Sequence, residues 1–489
     1  MSPTSQKLLF LFKDLFLFRE SGAVLLPDGT ALHVKYSNLA DIGTFELAGR
    51  TTQQYLQLKP GQIAMTNDPY SGGTILSTVT LLMGVSLNDA SDKTDLILCY
   101  RFLLRPSIHF AATIDEEGLR IPPTPIVENG VINQEMLKAM AAHPLCPDEI
   151  LPKTLQAVDR LKTIERDLTK ALQIFKVGIN KSTVQDYFSD SREIMHTVLT
   201  ELPFGDMDAT HPLSDGGKIK MNLEIKSNSI TFDFKDTTSS KLFAITEAGT
   251  FGACFGALIA FCDDRSIPVN AGSFGLVQVV SPSRSLLSAK YPMSTHVGMT
   301  EGLSLTANLV LKTLLKMVPS KKISLSSSSQ CSIDIQFENG LHFFDTVPGG
   351  TGASSKRRGE DGIYFWGRSP LQSSIEDIEN RFPLRISSIK ARANSGGRGQ
   401  NKGGDGLIKT FEILSPATVQ WLLGVDLKSE VSEHSFEGEN PEINFVLKSG
   451  KKTVGASSGT MKLNPGDRIV VLSAGGNGFG IAKAAEKEG

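Results

Sequence analysis

The chain has 489 residues, of which 40% are hydrophobic and 21% charged, as in a folded protein with a sizeable core; intrinsic disorder and a collagen-like repeat are excluded. Lys and Arg number 50 against 52 Asp and Glu, so the net charge of −2 gives no basic field to attract nucleic acid or an anionic membrane. At about 150 residues per domain, the length favours two to four domains.

The five cysteines are too few and too widely spaced for a disulfide framework, and no CxxC pair indicates a zinc knuckle. This usage predicts a reducing, cytoplasmic location. Two apolar segments could pass for membrane signals. Lys13 and Asp14 split residues 8–18, and Glu247 interrupts residues 242–262, whose many Gly and Ala residues favour a helix packed inside the protein. We therefore expect neither a secretory signal nor a membrane span.

Residues 1–130 are predicted to form a β-rich region. The turn Pro27–Thr30 (PDGT) between apolar runs predicts a hairpin over Val24–His33. Between two later strands lies Asn67–Thr74 (NDPYSGGT), a loop full of turn-forming residues. The other predicted strands of this region are Ile63–Met65, Val79–Val85 and Leu96–Leu104.

Residues 131–215 are predicted to be helical. Apolar residues recur every three or four positions over Leu155–Leu172, with charged residues between them, which predicts an amphipathic helix. Thr183–Leu202 predicts a second helix that ends before Pro203. The faces of this pair could receive a partner helix. The alternative is a helical hairpin that covers a sheet.

Residues 216–320 are predicted to mix strands and helices. Apolar and polar residues alternate over Lys218–Phe234 as in a pair of strands, whereas Ala248–Phe261 and Leu303–Val318 are predicted helices. Residues 321–489 alternate short apolar strands with glycine-rich turns, which predicts an all-β region. The expected fold class is therefore α+β, multi-domain and rich in antiparallel strands, with a helical insert.

Four GGxG sequences occur in the last third of the chain. Glycine lets another backbone or a ligand approach closely, and such loops can present N–H groups to an anion. None has the spacing of a P-loop or of a dinucleotide-binding turn, so we expect the isolated chain not to bind ATP. Taken singly, each loop fits a tight β turn or a ligand loop; the four lie at residues 349–352, 396–399, 403–406 and 475–478.

Together with their neighbours, these loops resemble the hydantoinase B/5-oxoprolinase family, whose B-type subunit also recurs in acetone carboxylases. In this family a helix normally precedes the first strand; the chain starts late relative to that pattern, so we expect this helix to be missing or shortened. The segments that carry the resemblance occur in the family's order: Asn67–Thr74, Glu117–Pro123 (EGLRIPP) with Val127–Gly130, Phe232–Ser239, Ile267–Phe274, and the glycine segments 349–352, 394–399 and 475–480.

The resemblance implies a division of labour between two subunits. An A-type subunit of the actin/hexokinase-like ATPase class phosphorylates the oxygen of a lactam, hydantoin or ketone, and the B-type subunit handles the activated intermediate with a divalent metal. We therefore expect this chain to bind no cofactor itself and to depend on ATP held by an A-type partner. A hetero- or homo-oligomer is expected, without nucleic acid or membrane.

The metal-ligand positions that the resemblance implies are substituted here. The family's GGTHxxDV reads GGTILSTV, so Ile75 stands in place of a histidine and Thr78 in place of an aspartate. The family's HHxD group falls at Phe102–Ser107, which has neither histidine nor carboxylate. Because a divalent ion needs imidazole or carboxylate donors, we expect no metal at this site.

A metal site could instead be rebuilt from residues nearby. His109, Asp115, Glu116 and Glu117 lie within nine residues and offer an imidazole and three carboxylates. The alternative is a solvated polar loop, since adjacent carboxylates usually lie in water. His109 and Asp115 are thus the weaker candidates for metal binding.

The matched motifs supply the candidate site residues. The family's NxETS reads Met299–Leu303 here and keeps only its glutamate. The candidates for catalysis are Asn67, Asp68, Glu117, Arg120 and Glu301. The candidates for holding substrate are Gly72, Gly73, Thr74, Gly349, Gly350, Gly352, Gly396, Gly397, Gly475 and Gly476.

Two functions from different classes fit these observations. The first is a B-type subunit of an ATP-dependent cyclic-amide hydrolase, of the 5-oxoproline or hydantoin type, or of a related carboxylase. The second is an inactive scaffold or regulatory paralogue that holds an A-type or a second B-type subunit. The retained glycine loops favour the first function, and the substituted metal positions favour the second.

Overall fold

The structure, a computed structural model, describes residues 1–88, 92–105, 110–238, 240, 242–262, 267–328, 330–365, 367, 373–424 and 435–481. The chain forms two compact units. Unit 1 comprises Met1–Ser107, Ala111–Asp208 and Lys220–Met299, and unit 2 comprises Ile108–Phe110, Ala209–Ile219 and Thr300–Gly489. The domain boundaries expected at residues 130, 215 and 320 stay predictions.

The α+β fold class is confirmed, with sheets whose strand pairs are mostly antiparallel. Short 3-10 and π-helical turns lie at Pro69–Ser71 and Gly298–Gly302. The helices of the described chain are α1 (Pro3–Leu15), α2 (Asp41–Leu56), α3 (Ile114–Glu117), α4 (Gln134–Ala141), α5 (Ile150–Phe175), α6 (Lys181–Thr200), α7 (Glu247–Cys262), α8 (Ala271–Phe274), α9 (Leu303–Met317) and α10 (Ile375–Arg381).

A seven-stranded antiparallel sheet organises unit 1, in the order β2-β1-β5-β4-β3-β6-β7. Its strands are β1 (Ser21–Leu25), β2 (Ala31–Lys35), β3 (Ile63–Thr66), β4 (Thr78–Val85), β5 (Leu96–Leu103), β6 (Thr124–Glu128) and β7 (Val131–Ile132). A second sheet has the order β11-β10-β9-β8, with a parallel pair between β10 and β11. Its strands are β8 (Gly205–Pro212), β9 (Lys218–Lys226), β10 (Ser229–Asp233) and β11 (Val277–Val280).

Unit 2 contains a four-stranded sheet (β13-β12-β16-β20), a five-stranded sheet (β14-β15-β21-β18-β19) and the pair β17-β22. Helix α10 interrupts the region predicted to be all-β, and it begins where the Ser374 side chain accepts a hydrogen bond from the Asp377 N–H. The strands are β12 (Ser332–Phe337), β13 (His342–Thr346), β14 (Leu384–Ala391), β15 (Leu407–Ile413), β16 (Ala417–Leu422), β17 (Ser435–Phe436), β18 (Glu442–Val446), β19 (Lys452–Val454), β20 (Ser458–Leu463), β21 (Arg468–Leu472) and β22 (Gly478–Phe479).

Helices cover both faces of the seven-stranded sheet. Helix α5 packs on β4 and β5, and helix α2 contacts the same two strands as well as β1 and β2. Strands β3, β4 and β5 are therefore buried almost throughout, which explains why they read as continuous apolar runs rather than as alternating patterns. The hairpin of β1 and β2 is confirmed, with Gly29 of the PDGT turn at a φ of +87°.

The apolar residues of α5 and α6 are used inside unit 1, where α5 packs on β4 and β5 and α6 packs on α1 and α8. Val158, Leu161, Ile164 and Leu168 of α5 are fully buried in the core with β3, β4 and β5. Asn180 starts α6 by accepting the N–H groups of Ser182 and Thr183. Of the two interpretations of this helix pair, the covering of a sheet is confirmed for α5, whereas the main contacts of α6 are with α1 and α8.

Two helices of the first 60 residues differ from the expectation. The helix before the first strand, expected to be missing or shortened, is present as α1, which buries Leu8, Leu11 and Phe12. Helix α2 was not predicted, since its glycines and threonines are weak helix formers. It is stabilised by close packing: a Cβ on Gly43 would lie 2.2 Å from the Ala248 carbonyl oxygen.

Helix α7 is packed inside unit 1, as its Gly and Ala content predicts. A Cβ on Gly252 would lie 2.1 Å from the Leu39 carbonyl oxygen, so the helix approaches its neighbour at backbone distance. Among the described residues, no helix is both long enough and apolar enough to cross a bilayer.

Candidate functional site

The NDPYSGGT loop between β3 and β4 is tied to the EGLRIPP segment by Asn67. Its side-chain oxygen accepts the Ile121 N–H at 2.6 Å, and its amide nitrogen donates to the carbonyl oxygens of Leu76 (2.8 Å) and Leu119 (2.9 Å). The amide thus uses both its donor and its acceptor atoms inside the protein. Asn67 joins two sequence motifs that lie some fifty residues apart, and its contacts position the loop.

Asp68 shapes the same loop and faces a cation. Its carboxylate accepts the Tyr70 N–H at 3.1 Å and the Ser71 hydroxyl at 2.8 Å. The Nη1 atom of Arg120 lies 3.5 Å from its Oδ2 atom. The Arg120 side chain is 37% exposed, whereas that of Asp68 is 5% exposed. The guanidinium is therefore the part of this pair that solvent and small molecules can reach.

Two tyrosines complete this cluster. The Tyr70 hydroxyl donates to the Met293 carbonyl oxygen, and the Tyr291 hydroxyl donates to Asp115 at 2.7 Å. The Arg120 guanidinium lies 5.1 Å from the centre of the Tyr291 ring, within the range of a cation–π contact. Burial raises the pKa of Tyr70, and the negative charges of Glu117 and Asp68 add to this effect.

Glu117 is the buried acid of the cluster. Its Oε1 atom accepts the Ser294 hydroxyl (2.5 Å) and the backbone N–H groups of Thr295 (2.7 Å) and His296 (2.9 Å). These hydrogen bonds favour the ionised form, but desolvation outweighs them and raises the pKa of Glu117 to about 7. The expectation of a solvated loop is wrong for Glu117, because its side chain turns inward from α3; Asp115 and Glu116 are exposed.

Gly72, Gly73 and Thr74 bring the loop against α2 and the 293–296 segment. Gly72 has a φ of +98°, and a Cβ there would lie 2.1 Å from the Ala48 backbone nitrogen. A Cβ on Gly73 would lie 2.5 Å from the Asn67 carbonyl oxygen. The Thr295 hydroxyl donates to the Thr74 carbonyl oxygen at 3.3 Å. Both glycines are required for a close backbone approach.

The divalent metal that the resemblance implies for the family does not fit the residues present in this chain. Ile75 is buried and has no donor atom, and Thr78 offers a hydroxyl at the start of β4. Asp115 is engaged with Tyr291, while His109 lies outside the described residues. Within the described parts of the chain, no group of three or more His, Cys, Asp or Glu side chains is arranged to hold a metal ion.

Glu301 belongs to unit 2, whereas the other four catalytic candidates belong to unit 1. It is fully buried, and its carboxylate accepts the Gln330 N–H at 3.1 Å and the Ser332 hydroxyl at 2.8 Å. These contacts anchor the start of β12. A catalytic role for Glu301 stays a prediction.

The glycine loops of unit 2 pack against one another. A Cβ on Gly350 would lie 1.9 Å from the Gly404 carbonyl oxygen, and one on Gly476 would lie 2.0 Å from that of Thr351. Because the backbones of these glycines do not adopt positive φ, no turn conformation requires glycine here. Glycine is required because there is no space for a Cβ atom. The same close approach holds for Gly349, Gly352, Gly396, Gly397 and Gly475.

Hydrogen bonds inside unit 2 use the amides of these loops. Gly350 donates its N–H to Ala474, and Gly397 donates to Gly476, at 2.9 and 2.8 Å. Gly396 donates to the Asp405 carboxylate at 2.7 Å. These amides therefore point into the protein, and the loops are built as stacked backbones. A role in holding substrate stays a prediction.

The sequence interpretation missed the cavity beside Tyr70 and a buried ion pair. The cavity has a volume of about 410 Å³ and is lined by Phe251, Phe274 and the charged residues Glu46, Arg50, Glu247 and Lys290. The ion pair joins Arg101 of β5 to Asp41 of α2 at 2.6 Å. Its only signal in the sequence is one arginine inside the apolar run of β5.

Comparisons with known proteins agree with this architecture. The model of the family described as hydantoinase B/oxoprolinase matches residues 105–482. An uncharacterized protein of Methanocaldococcus jannaschii is 25% identical, over 94% of this chain and 84% of its own length. A 5-oxoprolinase of Dictyostelium discoideum is 23% identical over 94% of this chain, which spans only 37% of that protein. The crystal structure of an ATP-dependent caprolactamase from Pseudomonas jessenii shares the fold, with a TM-score of 0.79 at 17% identity, over 98% of this chain and 89% of that one.

Proposed function

Because the chain belongs to the hydantoinase B/oxoprolinase family, we propose that it is the B-type component of an ATP-dependent enzyme that opens a cyclic amide of the 5-oxoproline or hydantoin type, or of a related carboxylase. An A-type partner supplies the ATP chemistry.

One observation carries the proposal: an acid with a pKa near neutrality lies in a cluster with an accessible guanidinium. Opening an amide requires a group that takes a proton from water and a group that returns one to the leaving nitrogen. Burial raises the pKa of Glu117 to about 7, so this carboxyl group can hold or release a proton near neutral pH. Arg120, held between Asp68 and Tyr291, offers N–H donors to a substrate carbonyl or carboxylate.

The proposal assigns different roles to the other motif residues. Asn67 and Asp68 position the loop and Arg120, since their hydrogen bonds are made within the protein. Gly72, Gly73 and Thr74 hold this loop close to the 293–296 segment that binds Glu117. Glu301 and the glycine loops of unit 2 stabilise that unit.

The test is reconstitution with an A-type protein. Lactams and hydantoins should stimulate ATP turnover when both chains are present and should not do so when either is omitted. Arg120→Ala should lower kcat/KM for the cyclic amide by roughly 10- to 100-fold, as expected when a charge-assisted hydrogen bond is lost. The matched control is Arg166→Ala, which removes an exposed arginine of α5.

The scaffold function is the second candidate, and one observation favours it: Ile75 and Thr78 lack the donors of a metal-dependent B-type subunit. A stable complex with the A-type protein that shows no turnover with any lactam, hydantoin or ketone would support the scaffold. Turnover that requires this chain and is lost in Arg120→Ala would contradict it.

A further inference from the structure

The buried side chain of Arg101 makes four hydrogen bonds inside unit 1. Its Nε atom donates to the Thr80 hydroxyl at 2.9 Å, and its Nη2 atom donates to the Gly72 carbonyl oxygen at 2.9 Å. Its Nη1 atom donates to Asp41 at 2.6 Å and to the Thr44 hydroxyl at 2.8 Å. One guanidinium thus joins β4, β5, α2 and the NDPYSGGT loop.

The carboxylate that faces this guanidinium is buried and accepts hydrogen bonds on both of its oxygen atoms. Oδ1 of Asp41 is bound by Arg101, and Oδ2 accepts the Ser21 hydroxyl at 2.7 Å and the Asn38 N–H at 3.0 Å. The side chains of Arg101 and Asp41 are each 3% exposed. The Phe45 ring, 4.2 Å from the guanidinium carbon, covers the pair.

This ion pair lies among the positions at which the family resemblance expects metal ligands. Arg101 directly precedes the Phe102–Ser107 stretch and lies opposite Thr80 in the β4–β5 register. Thr78, the position of the expected aspartate, is two residues from Thr80 and so shares its face of β4. Gly72, which accepts a hydrogen bond from Arg101, lies three residues before Ile75, the position of the expected histidine.

We propose that the guanidinium of Arg101 replaces the divalent cation of this family. Its fixed positive charge binds Asp41 and the Gly72 carbonyl oxygen in place of the metal ion. A guanidinium has five donor N–H groups, stays protonated and has no acceptor, so it satisfies oxygen ligands and repels a second cation. The inference rests on family membership and goes beyond the proposed activity, and its tests do not measure turnover.

The first test compares metal content and thermal stability. Protein purified without chelators should hold far less than one equivalent of zinc, manganese or iron, and EDTA or added zinc should leave its melting temperature unchanged. About one equivalent of metal, whose removal by EDTA lowers the melting temperature, would overturn the replacement.

The second test restores ligand chemistry at the same place. Arg101→His and the double variant Ile75→His/Arg101→His exchange the guanidinium for imidazole beside Asp41. Without metal both should melt roughly 5–15 °C below the wild type, because Asp41 is left buried without its partner, and zinc should recover part of this loss. Arg101→Lys keeps a cation and should not respond to zinc, and neither should the exposed control Arg166→His.

The histidine variants decide between a replaced cation and an ordinary ion pair. If zinc stabilises neither of them, or if it stabilises Arg101→Lys equally, the proposal is overturned. Should the histidine variants be insoluble without metal, their soluble yield is compared between zinc-supplemented and chelated medium. A higher yield with zinc supports the proposal, and equal yields contradict it.

Discussion

At the scale of single residues, Glu117 shows how the surroundings of a carboxyl group determine its chemistry. Three adjacent carboxylates in the sequence indicate a solvated loop, yet Asp115 and Glu116 face water while Glu117 is buried against residues 294–296. Only the fold determines which side of α3 is covered. The sequence identified Glu117 through its motif and could not identify its burial.

The raised pKa of Glu117 predicts a pH dependence of stability. Between 4.5, the ordinary value, and about 7 the folded protein keeps a proton that the unfolded chain releases. The free energy of unfolding should therefore fall as pH rises through this window, by about 3 kcal/mol in total, and this contribution should level off above pH 7.

Glu117→Gln should remove this dependence, because the amide stays neutral and keeps its acceptor oxygen. Urea unfolding at pH values from 4.5 to 8 measures the effect as the difference in slope between wild type and variant. Glu116→Gln, a change at the exposed neighbour, should keep the wild-type slope. Equal slopes in wild type and Glu117→Gln would show that Glu117 is not the group responsible.

At the scale of elements, the two motif segments of unit 1 are one structure held by Asn67. Replacing it with alanine should leave the Ile121 N–H and the carbonyl oxygens of Leu76 and Leu119 without their partner. We expect Asn67→Ala to lower the free energy of unfolding by about 2–3 kcal/mol. Gln173→Ala, which removes an exposed amide from α5, should change it by less than about 0.5 kcal/mol. Similar losses in the two variants would contradict the role of Asn67.

The glycine loops of unit 2 lead to a second prediction at this scale. A Cβ on Gly350 would lie 1.9 Å from the Gly404 carbonyl oxygen and 2.6 Å from the Gly476 nitrogen, so the stacked loops must separate. Gly350→Ala should therefore destabilise the protein by about 3 kcal/mol or more in chemical denaturation. Gly178→Ala, where the nearest atom is 3.8 Å away, is the control and should be nearly neutral or stabilising. An equally neutral Gly350→Ala would show that the loops have room to adapt.

At the scale of the whole molecule, the sequence predicts those elements whose signal is local. The β1–β2 hairpin, strands β3 to β5 and helix α5 follow from turn residues and apolar periodicity, and all are confirmed. Helix α2 could not be predicted from local signals, because its stability comes from close contact with α7 at glycines. The Arg101–Asp41 ion pair could not be predicted either, since sixty residues separate the partners and only the fold brings them together.

Each unit also has a hydrophobic core of its own, which predicts the unit in which a substitution lowers the local stability. The core of unit 1 joins α1 and α5 to strands β3 to β5, and that of unit 2 joins β12, β15, β16 and β21. Amide hydrogen exchange reports local opening free energies, so it can follow the two cores separately. Gly350→Ala should speed exchange in the strands of unit 2 and leave those of unit 1 at wild-type rates. Asn67→Ala should do the reverse, and Gly178→Ala should change neither. If both destabilising variants accelerate exchange equally in β4 and in β16, the two cores open as one cooperative structure and the prediction is wrong.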